Sequence, residues 1–181
     1  MASALYQSLS LYPDRVKSQR RMPLAFFLRF ALVPVAVGVC YLFPWHGLRS
    51  LTADANVALD RLLGVNWARL SADTVSWHGV LYQYVISCTF ADVLCGAIPL
   101  VWNLRRSILW NVAYLLAMGA GMFAFNIFRL SVSDAIFAAG ISWAVAHSVI
   151  SGISYFAVWV WLWESHSPQW RQPWQAASQA G

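Results

Sequence analysis

The chain has 181 residues, of which 60% are hydrophobic and only 10% charged, and its mean hydropathy is +0.55. Soluble domains carry roughly 25% charged residues, so this composition belongs in a bilayer, and the length leaves no room for a second large soluble module. The net charge of +5 comes from Lys and Arg spread along the chain rather than gathered on one face, which excludes nucleic acid as a partner and leaves membrane lipid.

The first polar stretch, 1–22, holds Arg15, Lys17, Arg20 and Arg21 and reads as a basic tail. A first span follows over 23–44, long enough for a hydrocarbon core of ~30 Å at about 1.5 Å per residue. It is too long and starts too late for a cleaved signal peptide, so it reads as a retained anchor. Arg29 near its start can snorkel back to the headgroups. Pro34 is tolerated, because membrane helices carry prolines more often than soluble ones.

The loop 45–85 carries Arg49, Arg61, Arg69, Asp54, Asp60 and Asp73 and is therefore solvated. Leu51, Val57, Ala58, Leu62 and Leu63 recur at helical spacing over Ser50–Leu63. That pattern predicts an amphipathic helix on the membrane surface, ended by Gly64. Between Ala68 and Ile86 apolar residues alternate about His78-Gly79. The alternation predicts a β-hairpin with Val75 and Trp77 on one strand and Val80, Tyr82, Tyr84 and Ile86 on the other.

Three further spans are expected over 86–103, 107–128 and 141–163. Asn103, Arg105 and Arg106 lie in one connection and Ser131–Asp134 make a short turn in the next. Residues 164–181, with Glu164, Pro168, Arg171 and Pro173, form a second polar tail, expected to be disordered. The fold class is thus an all-α polytopic membrane protein with about four transmembrane helices, a small extracytoplasmic amphipathic helix and a hairpin. One membrane-embedded domain covers 23–163.

Orientation follows from the excess of Lys and Arg on cytoplasmic loops. With four spans, the basic tail and the Arg105-Arg106 turn fall on the same, cytoplasmic side, with both termini, and the loop 45–85 faces out of the cell (inner) membrane. Trp102, Trp110, Trp159, Trp161 and Trp163 then cluster near the cytoplasmic interface, where indoles prefer to sit.

Cys88 begins the second span at the outer face, Arg129 ends the third there, and His147 lies in the outer part of the fourth. Ionisable groups within a membrane span point to function, because burying their charge is costly. A thiol becomes a strong nucleophile as thiolate, which a neighbouring imidazole or guanidinium favours. His147 suits proton transfer. Arg129 stays charged throughout and suits a developing oxyanion. Thr89 and Asn126 are placed to add hydrogen bonds, and Asp92 to orient His147 or pair with Arg129.

Each residue alone has a plainer reading. A lone Cys in a membrane helix is mostly a small packing residue, and Cys40 and Cys95 are read so. Arg129 alone is an interfacial anchor, and His147 alone bonds a backbone carbonyl. The three cysteines show no CxxC or His-linked spacing, against a disulfide framework and against zinc. His46, His78 and His166 are isolated, and no ligand set converges with Cys88 and His147 to hold a metal. No cofactor is implied. The Gly119-Ala120-Gly121 run lets helices approach closely.

Three stretches of the chain also match the pattern of one family. Tyr82–Pro99 (YQYVISCTFADVLCGAIP), Asn126-Ile-Phe-Arg129-Leu130 and His147-Ser-Val-Ile-Ser-Gly152 resemble, in this order, the Cys-Ser/Thr-Gly, Asn-x-x-Arg and His-x-x-x-Gly elements of the exosortase/archaeosortase membrane transpeptidases. The resemblance covers about Ser50 to Trp163. Phe90 stands where that family usually has Gly, Asp92 adds a charge nearby, and only the core spans of the typical eight-span member are kept. The resemblance implies a catalytic Cys88, Arg129 and His147. It also implies substrates that are C-terminal sorting tails of exported membrane-anchored proteins: a short motif such as Pro-Glu-Pro, a membrane span and a basic cluster, cut near the outer face.

The expected function is therefore a membrane cysteine peptidase or transpeptidase working through an acyl-enzyme. A different class remains open: a non-enzymatic four-span scaffold subunit held together by an Arg129–Asp92 ion pair. A thiol oxidoreductase using Cys88 and Cys95 is disfavoured, because ~10 Å of helical rise separates those thiols.

Overall fold

A computed structural model describes residues 24–166. The basic tail at 1–22 and the stretch 167–181 lie outside the described residues. Helix α1 (Leu24–Cys40) keeps Pro34 within it and ends where the Trp45 indole Nε1 donates to the Cys40 carbonyl at 2.8 Å. Helix α2 (His46–Leu62) follows, then strands β1 (Ala68–Ser71), β2 (Thr74–Trp77) and β3 (Val80–Gln83). A 3-10 turn at Ile86–Thr89 leads into α3 (Ala91–Val101), α4 (Ile108–Ala138) and α5 (Trp143–His166).

Two helices, α4 and α5, are long and apolar enough to cross a membrane. Only 17% and 22% of their most apolar windows are buried within the protein, so their Leu, Val and Phe side chains point outward. A core helix of a soluble protein would hide them; an outward apolar surface of this extent suits lipid. Helices α1 and α3 are shorter, at 17 and 11 residues, or about 25 Å and 16 Å of rise. The segment expected as a span at 86–103 is therefore a 3-10 turn, a short helix and an extended exit at Trp102. Its two ends nevertheless lie well apart along α4. Its start lies beside Arg129, and Asn103 at its end bonds Asn111, about 27 Å apart along α4 at helical rise.

The turn expected at Ser131–Asp134 does not form. Helix α4 runs unbroken through it to Ala138, and the reversal comes at Gly140, with φ 96°. Ser131, Ser133 and Asp134 look like turn residues in sequence, yet all three are buried and Asp134 has a partner on α2. Tertiary burial thus overrides the local preference of these residues for turns. Helix α5 likewise continues past Glu164 into the stretch read as a tail.

The amphipathic helix is present, beginning four residues earlier than expected and ending near Gly64, whose φ is 83°. Its inner face is polar: Thr52, Ala53, Asn56 and Asp60 are buried while Leu51, Leu62 and Leu63 are exposed. Of the expected apolar stripe, Val57 packs against the core while Leu51, Leu62 and Leu63 stay on the outside. The hairpin forms in the expected register, Trp77 opposite Val80 and Val75 opposite Tyr82. His78 and Gly79 both take positive φ, the backbone that tight hairpin turns need. Strand β1 adds a third, antiparallel member.

Arg49 of α2 locks this sheet in place, donating Nε to the Tyr84 carbonyl at 2.7 Å and pairing with Asp73. Burial opposes ionisation of Asp73, but hydrogen bonds from Ser71 and the Arg49 charge outweigh it and hold the carboxyl below its usual range. Two cores result. The outer one gathers Val65, Trp67, Val75, Tyr82, Tyr84, Cys88 and Leu130; the inner one gathers Phe90, Val93, Ala97, Met118, Met122 and Leu162.

Helices α1, α3 and α5 meet closely at Gly96, where an added Cβ would lie 2.9 Å from Val37 Cγ2 and 3.2 Å from Trp159 Cη2. Gly96→Ala is expected to cost about 1–3 kcal/mol through overpacking. Gly121→Ala, with nothing within 4 Å of the new Cβ, should be neutral or slightly stabilising on a helix. Thermal melting of the purified protein in detergent, with equal losses for both variants, would contradict this packing.

Candidate active site

Cys88 sits in the 3-10 turn at the seam between the two cores and is 4% exposed. The turn is gripped by its carbonyls from two sides. Asn126 Nδ2 of α4 donates to the Cys88 carbonyl at 2.7 Å, and the Tyr155 hydroxyl of α5 donates to the Ser87 carbonyl at 2.7 Å. Phe90 then turns the chain into α3 with φ 57° and ψ 15°. That backbone is a genuine outlier for a bulky residue, with a cost on the order of 1–3 kcal/mol. The buried ring offsets it: Phe90 lies edge-on to Tyr155 at 4.7 Å and under the Arg129 guanidinium, also at 4.7 Å. A position with this φ is one where glycine is at ease.

Arg129 is 3% exposed. Its Nε donates to Asn126 Oδ1 at 3.0 Å, Nη1 to the Ser151 hydroxyl at 2.6 Å, and Nη2 more weakly to the Ser87 carbonyl at 3.4 Å. No carboxylate pairs with it among the described residues. A guanidinium has five N–H donors, so this one holds the Cys88 turn and still has hydrogen-bonding capacity and its full charge.

The Cys88 thiol is hydrogen-bonded to the Tyr82 hydroxyl at 3.1 Å. His147 does not bond it directly. The imidazole stacks on Trp143 at 4.8 Å and meets the Tyr82 ring at 5.7 Å, edge to face, and its Nδ1 is buried without a partner. Tyr82 thus stands between thiol and imidazole. Burial, with the Cys88 sulfur beside it, pushes the Tyr82 hydroxyl well above the usual tyrosine range, so it keeps its proton.

The remaining expected members are placed differently. Asp92 bonds neither His147 nor Arg129; its carboxylate accepts from Tyr41 at 3.2 Å, from Tyr155 at 3.2 Å and from the Val93 amide at 2.9 Å. The Arg129–Asp92 ion pair of the scaffold reading does not form. Thr89 is occupied locally, donating to the Ile86 carbonyl and accepting from the Ala91 amide. Cys95 faces Cys40 across α1 and α3 rather than Cys88.

Residues that the sequence reading did not single out are Tyr82, Ser151 and Tyr155. A signal for two of them was present: Trp143, His147, Ser151, Tyr155 and Trp159 recur every fourth residue, one inward stripe of α5. Tyr82 is six residues before Cys88, and only the hairpin brings it back onto the sulfur. No family model, no curated protein and no solved structure matches this chain.

Asn126→Ala leaves the Cys88 carbonyl and the Arg129 Nε unpartnered in a buried place. The expected loss is about 1–3 kcal/mol, read as a lower melting temperature, whereas Asn126→Asp keeps the acceptor for Arg129 and loses only the donor to the Cys88 carbonyl, so it separates the two bonds. An Asn126→Ala protein as stable as the parent would mean that these bonds do not hold the turn.

Proposed function

We propose that the chain is a membrane-embedded cysteine transpeptidase or protease of the exosortase type, acting on C-terminal sorting tails of exported membrane-anchored proteins at the outer membrane face. The observation that carries this reading is the buried, carboxylate-free Arg129 held directly over the turn that bears Cys88. A cation kept dry at the cost of its hydration, with donors unspent beside a nucleophile, suits a site where negative charge develops.

In this reading α1, α4, α5 and the segment from Ser87 to Asn103 cross the inner membrane, with both termini cytoplasmic. Helix α2 and the sheet roof the site on the outer side. An apolar crevice of about 550 Å³ between α4 and α5, lined by Tyr114, Met118, Met122, Phe125 and Trp161, begins one turn below Arg129 and offers room for an apolar substrate segment.

The chemistry runs in two halves. The Cys88 thiol leaves its hydrogen bond with Tyr82 and gives its proton to His147 as sulfur bonds to the scissile carbonyl carbon. The oxyanion forms opposite Arg129. It collapses as the carbon–nitrogen bond breaks, and the leaving amine takes the proton from His147. The thioester is then resolved by an amine, a lipid headgroup or water.

The test pairs thiol trapping with processing in membranes. A reporter ending in a Pro-Glu-Pro motif, a span and a basic cluster should be cut by the parent and left whole by Cys88→Ala, with the variant accumulating normally. Arg129→Lys should slow cutting ~10²–10³-fold, the scale of losing an oxyanion donor. His147→Ala should slow it ~10²–10⁴-fold, and Tyr82→Phe less than either. A membrane-impermeant alkylating reagent should label Cys88 from outside, more slowly in the His147 and Arg129 variants. Cutting by Cys88→Ala, or labelling indifferent to both substitutions, would overturn the reading in favour of a scaffold.

A further inference from the structure

Helices α1 and α3 lie against each other in opposite directions, and two contacts fix their register. Val37 of α1 meets Gly96 of α3, where an added Cβ would lie only 2.9 Å from Val37 Cγ2. At the end of α1 the Tyr41 hydroxyl donates to Asp92 Oδ2 at 3.2 Å. The Tyr41 amide still donates to the Val37 carbonyl at 3.3 Å, so Tyr41 prolongs the last turn. Val37 to Tyr41 is thus one turn of one helix, and Gly96 back to Asp92 one turn of the other, about 6 Å of rise on each.

Two sulfurs stand between those contacts. Cys40 is three residues past Val37 and next to Tyr41; Cys95 is three residues past Asp92 and next to Gly96. Residues three and four apart share a helix face, so both side chains fall in the seam that Val37–Gly96 and Tyr41–Asp92 bracket. The two thiols are within interaction reach of each other. Cys40 is 1% exposed and Cys95 half-buried. Gly96, lacking a Cβ, lets the backbones approach beside Cys95, and a disulfide needs such proximity, with Cα atoms about 4.4–6.8 Å apart. The third thiol is engaged elsewhere, Cys88 on the Tyr82 hydroxyl. Taken singly Cys40 and Cys95 are packing residues, and their spacing shows no disulfide framework; the fold brings them together.

We propose that Cys40 and Cys95 are a disulfide-forming pair, and that oxidation staples α1 to α3 across this seam. Half-buried Cys95 is the thiol that a disulfide donor reaches. Its thiolate attacks a sulfur of the donor, and a mixed disulfide forms as the donor's first thiol leaves. The Cys40 sulfur then attacks the Cys95 sulfur, and the donor's second thiol leaves. The protein gives up two electrons and two protons, and the donor disulfide becomes two thiols.

The ring of chain closed in this way contains α2, all three strands and the Cys88 turn. Closing so long a loop restricts the unfolded chain far more than the native one. Asp92, one turn from Cys95, also accepts from the Tyr155 hydroxyl, which grips the Ser87 carbonyl. A staple between α1 and α3 therefore steadies the wall that carries the Cys88 turn. In the orientation proposed above the pair lies toward the outer face, on the side where disulfides persist. That placement rests on the proposed topology; the pairing of the thiols does not.

The test uses the full chain purified in detergent, reduced, freed of reductant and exposed to oxidised glutathione. Free thiols are then counted by alkylation after denaturation, so no readout depends on peptide cleavage by the protein. The parent should fall from three free thiols to one. Cys88→Ser should fall from two to none, and trypsin should then release residues 30–49 joined to 70–105, a pair that dithiothreitol separates. Reduction should lower the melting temperature of the oxidised parent by about 5–10 °C, and Cys95→Ala should show no such dependence on reductant. A parent that keeps three free thiols overturns the proposal, as does one that carries glutathione without the joined peptides. Joined peptides that persist in Cys95→Ala overturn it too, by assigning the bridge to Cys88. The thiol count is made on the parent, so it decides the matter even if a variant fails to fold.

Discussion

The hydrogen-bonding demand of one buried guanidinium organises this protein. Arg129 sits where water does not reach, and a buried charge must be surrounded by fixed dipoles or be expelled. It is met by Asn126 on its own helix, Ser151 on α5, the Ser87 carbonyl on the turn before α3, and the faces of Phe90 and Tyr155. Those partners come from three separate stretches of chain. Satisfying a single side chain thus fixes how α4, α5 and the Cys88 turn lie together, and removing any one partner leaves a charge short of dipoles.

The same logic, applied to carboxylates, shapes the outer half. Helix α2 buries Thr52, Asn56 and Asp60 instead of its leucines, because α4 presents Ser131, Ser133 and Asp134 to it. The contact is made by polar groups, while the leucines are left for an apolar surface outside the protein. Polar contacts of this kind are also what holds helices together where the surroundings are apolar.

Strain is concentrated at the turn. Phe90 occupies a backbone region that suits glycine, yet its ring is the floor beneath Arg129. A glycine there would relieve the backbone and leave the guanidinium without that aromatic face. The tyrosines make up a second theme: Tyr41 and Tyr155 share Asp92, and Tyr82 takes the place beside sulfur that the sequence reading gave to histidine. His147 makes no bond to the sulfur and instead lies edge to face with the Tyr82 ring.

Much was legible without coordinates. Composition pointed to apolar helices of membrane-crossing length, and α4 and α5 are such helices; periodicity found α2, the hairpin and its His78-Gly79 turn, and the runs that became α4 and α5. Spacing brought Cys88 and Arg129 to one depth, because helical rise converts residue number into height. What spacing could not supply is contact. Whether Asp92 meets Arg129 or tyrosines, whether Tyr82 or His147 touches the thiol, and whether Ser131–Asp134 turns or stays helical all depend on groups far away in sequence. Local propensity is worth a few tenths of a kcal/mol per residue, whereas an unmet buried polar group costs about 1–3 kcal/mol. Where the two compete, the distant partner wins: Asn56, seventy-eight residues before Asp134, keeps α4 a helix where its own sequence asks for a turn.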